Sequence, residues 1–252
     1  MLNLFTELKK WDKYFLTLSV VYVVLSVLRF AGYSPDWLYG SVGGDSTVYG
    51  LSLLFIFIIF FSLERIHERS VTSRETPLKI AFHKLISDFA GFVGWRTGNQ
   101  KKQVIVGLIV GLILPIYFVV AVGKPIGFDI GYTLWVILTK TEAVLDRVLI
   151  APFFEEIFFR GFFITRFLLI FKNTKFWGIA GIVLSALLFA SIHTAQHDLP
   201  NMFISGLIYG CIYLINWDES KELLSWRKNL TAALIAHSIS NLMTTAILFA
   251  GP

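Results

Sequence analysis

The chain has 252 residues, 56% of them hydrophobic and 16% aromatic, with 15% charged and a net charge of +5. An average soluble domain carries about 25% charged residues; with a mean hydropathy of +0.69, the composition leaves little room for a water-soluble fold and predicts an all-α, polytopic transmembrane helical bundle. Cys211 is the only cysteine, which excludes an intrachain disulfide and a cysteine-based metal cluster.

Residues 14–28 form the first expected span. It follows Lys9, Lys10 and Lys13 and reads as a retained anchor rather than a cleaved signal. Residues 48–63 form the second. The connection from 64 to 102 holds Arg65, Arg69, Arg74, Lys79, Lys84, Arg96, Lys101 and Lys102, an excess that marks it as cytoplasmic. Positive charge gathered in such loops is a topology signal and gives no reason to expect a nucleic-acid partner. Within this loop, 77–95 places Leu78, Ala81, Leu85, Phe89 and Phe92 at helical spacing, as in an amphipathic helix on the membrane surface or packed under the bundle. Residues 103–122 are the third span, in which Pro115 is tolerable because neighbouring helices can satisfy the freed carbonyl. The apolar stretch 131–138 is too short to cross and reads as interfacial or re-entrant. Spans follow at 142–171, 176–192, 202–215 and 230–249, making about seven, with the amino terminus inside. The chain divides into amino-terminal transmembrane helices, 1–130, and a second transmembrane core, 131–252.

That core carries Glu155, Glu156 and Arg160 inside a run of apolar residues. Each charge near a helix centre in lipid costs about 2.5–3.5 kcal/mol on insertion scales, so three unpaired ones would cost roughly 8–10 kcal/mol. A chain that keeps them has a use for them. Residues four apart share a helix face, so Glu156 and Arg160 form an expected ion pair. Glu155, about 100° round the helix, is aimed elsewhere and is suited to general-base work.

The turn at 172–175 lies about eighteen residues from both Glu155 and His193. An antiparallel hairpin therefore sets both roughly 27 Å above it, at one depth. His237 and Asn241 share a face of the last span, but counted from residue 230 they lie only about 10–17 Å up, about two turns short of Glu155. A carboxylate with a histidine can activate water or bind a metal; a second histidine with an amide one turn on can hold an oxyanion. The His-Glu-x-x-His signature of soluble zinc proteases is absent. Plainer readings exist for each residue: histidine and asparagine in spans often serve as interhelical hydrogen-bonders, and a Glu–Arg pair can be a clamp. A proton-coupled transporter could use the same groups as a relay, although the sequence shows none of the internal repeats such carriers have. A catalytically silent membrane scaffold or immunity protein is the third class.

Taken in order, Glu-Glu-x-x-x-Arg (Glu155, Glu156, Arg160), Phe-x-x-x-His (Phe189, His193) and His-x-x-x-Asn (His237, Asn241) resemble the CAAX prenyl protease and bacteriocin-processing (CPBP or Abi) family of intramembrane endopeptidases. The resemblance covers about 151–245. It implies that Glu155 and His193 activate water against a peptide carbonyl, that His237 and Asn241 stabilise the oxyanion, and that Glu156 and Arg160 hold the first carboxylate and its helix. It allows a metal-free glutamate protease or a metalloprotease; in the second case Glu155, His193 and His237 would be the zinc ligands. The implied partner, besides the lipid bilayer, is a membrane-associated protein or peptide: a prenylated CAAX protein, a bacteriocin or pheromone leader, or a regulated membrane protein. Without an organellar targeting segment, the chain resembles a prokaryotic member, multi-pass in the plasma membrane.

Overall fold

A computed structural model describes residues 100–122, 138–171, 175–193, 199–214 and 229–248, together with Asp12, Thr17, Val24 and Trp95. Every regular element among them is helical. α1 is Gln100–Val122. A long broken helix follows, made of α2 (Thr141–Leu145), a π-helical segment π1 (Asp146–Ile150), α3 (Ala151–Glu156), a second wide segment π2 (Ile157–Ile164) and α4 (Thr165–Ile170). Three unbroken helices complete the set: α5 (Lys175–Ile192), α6 (Leu199–Leu214) and α7 (Leu230–Leu248). The expected spans at 14–28 and 48–63, the surface helix at 77–95 and the re-entrant stretch at 131–138 lie outside the described residues, apart from Thr17, Val24, Trp95 and Leu138.

Among the described residues one stretch, Gln100–Phe118 of α1, is long and apolar enough by itself to cross a membrane. Phe176–Ser191 and Leu199–Leu214 are apolar but shorter than the ~20 residues a crossing needs. The expected count of about seven spans is therefore not reproduced by the described residues. The broken helix carries the charged cluster, and α7 carries His237, Ser238, Ser240 and Asn241 in the middle of its run.

α1 and α7 pack through glycines. In a bundle surrounded by apolar solvent, hydrophobicity cannot mark the inner face of a helix; small residues do, by letting backbones close up. The inner stripe of α1 is Gln103, Gly107, Gly111, Leu114 and Pro115, while Ile105, Ile109, Ile113 and Val120 are exposed. A Cβ on Gly107 would stand 2.7 Å from Ile235 Cβ and 2.8 Å from the Ala232 carbonyl oxygen. On Gly111 it would stand 2.6 Å from Ile239 Cβ and 2.8 Å from the Ala236 oxygen. The same device joins α6 to α5. A Cβ on Gly206 would lie 2.9 Å from Ala186 Cα, and one on Gly210 would lie 2.8 Å from Ile182 Cγ2. Both seams are small-x-x-x-small motifs, and both flank the charged cluster.

π1 has a cause in the sequence. Pro152 has no N–H and its ring would clash with the carbonyl four residues earlier. Widening the preceding turn relieves that clash, and the Ala151 N–H accordingly reaches five residues back to the Asp146 carbonyl. α7 begins at a good cap: Asn229, a favoured N-cap residue, accepts at its carbonyl from the Ala232 N–H at 3.1 Å. The Asn229 N–H donates in turn to the Tyr213 carbonyl at 2.8 Å, which ties the start of α7 to the end of α6. Near the same level, Asp12 pairs with Arg166 of α4 at 2.7 Å.

Candidate active site

Glu156 is fully buried and so is Arg160. The expected pair exists, with Arg160 Nη1 3.0 Å from Glu156 Oε1. Arg160 Nη2 donates to the Gly206 carbonyl at 3.3 Å. The guanidinium carbon lies 4.6 Å from the centroid of Phe189, 5.3 Å from that of Tyr209 and 5.8 Å from that of Phe159. A desolvated cation gains most from such ring faces. Burial of this charge is thus offset by a carboxylate, a carbonyl and three aromatic faces.

The same Glu156 Oε1 accepts from His237 Nδ1 at 2.8 Å. A carboxylate paired with arginine is an acceptor only, so the proton on this edge of the ring sits on Nδ1. Nε2 is then the outward atom, and it lies 3.6 Å from Glu155 Oε2. Glu155 is partly exposed, with 20% of its side chain accessible, against 4% for His237. One histidine therefore stands between the two adjacent glutamates, its two nitrogens each facing one of them. Tyr209 stacks on the imidazole at 4.8 Å with 22° between planes, and Phe189 meets it edge-on at 5.5 Å. Ser240 is the side-chain hydrogen-bond partner of the Tyr209 hydroxyl.

The depth mismatch expected for α7 does not arise. Counting from residue 230 assumes that α7 starts level with the turn after α4. Instead, its start is bonded to Tyr213, whose hydroxyl is 2.8 Å from Thr165 Oγ1. Thr165 is six residues, about 9 Å, in from the end of the broken helix. That offset supplies most of the missing two turns.

The expected dyad is Glu155 with His193; the contact seen for Glu155 is with His237 Nε2, at 3.6 Å. His193 lies just beyond the end of α5, where its N–H turns to the Ala190 carbonyl at 3.1 Å. Its ring Nδ1 takes up the Phe189 carbonyl at 2.8 Å. The Phe189 ring, 4.7 Å from the His193 ring, stands between the two histidines. Asn241 Nδ2 donates to the Arg147 carbonyl of π1 at 2.8 Å. Trp95, the last residue of the expected surface segment, packs edge-on against Phe153 of α3 at 5.5 Å.

Gly206, Tyr209 and Ser185 were not singled out by the sequence. Ser185 of α5 donates to the Phe159 carbonyl of π2 at 2.9 Å. A usable signal existed in the Gly206-x-x-x-Gly210 spacing, which marks the face of α6 that must lie closest to its neighbours. As for a metal, among the described residues no three His, Cys, Asp or Glu side chains are grouped so as to hold one.

Residues 132–243 match the model of the type II CAAX prenyl endopeptidase Rce1-like family. That stretch is similar to the family's CAAX-protease domain. The domain takes in the broken helix, α5, α6 and most of α7, so all six residues discussed above fall within it. That family is one of membrane-embedded proteases. No curated protein and no solved structure matches the chain.

Proposed function

We propose that the protein is an intramembrane endopeptidase that hydrolyses a peptide bond of a membrane-associated protein or peptide, with Glu155 and His237 acting on one water. The observation that carries this reading is the convergence of Glu155 and Glu156 on the two ring nitrogens of His237, which lies 81 residues beyond Glu156 in sequence. A separation of 3.6 Å between Glu155 Oε2 and His237 Nε2 is too long for a direct hydrogen bond. Both atoms are within reach of one water placed beside the pair.

In the first step the water oxygen attacks the peptide carbonyl carbon and its proton passes to this pair. His237, with Nδ1–H already committed to Glu156, takes it on Nε2 and becomes an imidazolium between two carboxylates. The new Nε2–H then serves as donor to the oxyanion, and afterwards gives its proton to the leaving amine. Glu156 is the positioning residue that fixes the ring, and Arg160 fixes Glu156. His193, with Nδ1 on the Phe189 carbonyl, is a second polar group offered to the substrate. The apolar packing around the pair, with Phe153, Phe154 and Phe158 only partly buried, suits an apolar, lipid-anchored or membrane-spanning substrate segment.

The test is cleavage of membrane-anchored peptides by the purified protein in liposomes. Glu155→Ala should lower the rate by at least about a hundredfold while leaving the thermal unfolding of the detergent-extracted protein unchanged. Cleavage by that variant at the wild-type rate would refute the mechanism.

A further inference from the structure

The resemblance places Asn241 at the oxyanion. The geometry points to a different task, and we propose that Asn241 is a positioning residue that replaces the hydrogen bond Pro152 removes from the broken helix. The proposal rests on the peptidase reading for its effect on rate, but not for its structural content.

In π1 the backbone bonds run from each N–H to the carbonyl five residues earlier, as the Ala151 N–H to Asp146 bond shows. The next carbonyl, that of Arg147, would take the N–H of residue 152. That residue is proline, which has none. The Ala151 N–H, the α-helical alternative, is already committed to Asp146. Arg147 is thus left with an unmatched carbonyl in a segment where lipid offers no donor. Asn241 Nδ2 sits 2.8 Å from that oxygen. The donor comes from 94 residues away, on the helix that also carries His237 one turn earlier.

The consequence is mechanical. One face of α7 touches the broken helix twice, through His237 at Glu156 and through Asn241 at Arg147, on either side of Pro152. The second contact sets how α3 leaves π1, and hence where Glu155 stands relative to His237 Nε2. A shift of about 1 Å there is enough to lower the rate about a hundredfold.

The discriminating experiment is a double-mutant cycle between Asn241→Ala and Pro152→Ala. Pro152→Ala puts an N–H five residues after Arg147 and supplies the missing donor locally. In the wild-type background Asn241→Ala should lower the unfolding midpoint by about 3 °C and kcat/KM by about 10- to 100-fold. In the Pro152→Ala background both losses should shrink to less than half. An oxyanion donor behaves otherwise: kcat falls, the midpoint stays, and Pro152→Ala restores nothing. That result, or equal losses in both backgrounds, overturns the proposal. Asn241→Asp, which keeps the shape and removes the N–H, tests the same contact without touching the helix; a wild-type midpoint in that variant also overturns it. The midpoints are read without substrate, so a chain that cleaved nothing would refute the peptidase reading and leave this test standing.

Discussion

The two wide segments of the broken helix differ in origin and in what holds them. π1 has no buried residue and follows from one proline; π2 is buried except at Phe158 and contains no proline at all. Each has a carbonyl taken up by a side chain of a neighbouring helix, Arg147 by Asn241 and Phe159 by Ser185. π1 is a local consequence of chain chemistry that α7 repairs. π2 is imposed from outside, by the need to seat Arg160 between Glu156, the Gly206 carbonyl and the rings of Phe189 and Tyr209. Wide turns are frequent at functional sites, and these two bracket α3, which ends on the two glutamates.

If π2 is held by Arg160, its removal should have the largest effect of any change on that side. Arg160→Ala leaves Glu156 buried without its cation, a loss of about 3–5 kcal/mol, to be read as a fall of roughly 10 °C in unfolding midpoint. A fall of only a degree or two would mean that the arginine does not organise the segment. At the small end, Ser185→Ala removes one of several supports of π2. It should cost about 0.6 kcal/mol, the usual worth of an interhelical hydrogen bond in a membrane protein, measured as a shift of about 1–2 °C. Asn241→Ala, which removes the support of π1, should cost more than Ser185→Ala; the reverse order would break the comparison.

How far the sequence reached follows the same division. Local chemistry was legible. The Glu156–Arg160 pair follows from four-residue spacing, and α5 and α7 lie within a residue of their expected bounds. The expected start of the sixth span at 202 is three residues late, and Pro200 lies inside the helix. It is the second residue of α6, where a missing N–H costs nothing. Lateral placement was not legible. A hairpin count gives depth along the membrane normal but not which neighbour a side chain meets, so it could match Glu155 to His193 and miss the Phe189 ring beside it. The His237 count failed because no sequence signal says that α7 begins beside Tyr213 rather than at the level of the turn. The glycine seams at 107–111 and 206–210 were visible as spacing, and they carry the close approach that brings α7 and α6 to the broken helix.

The central claim is that Glu155 and His237 act on the same water. It is tested most directly by kcat/KM for Glu155→Gln, His237→Gln and the double variant on one membrane-anchored peptide. Residues that work as a unit lose grossly less than the product of their single effects. The double variant should therefore fall within a few-fold of the worse single one. If the two losses multiply instead, Glu155 and His237 contribute independently, and the shared water is contradicted.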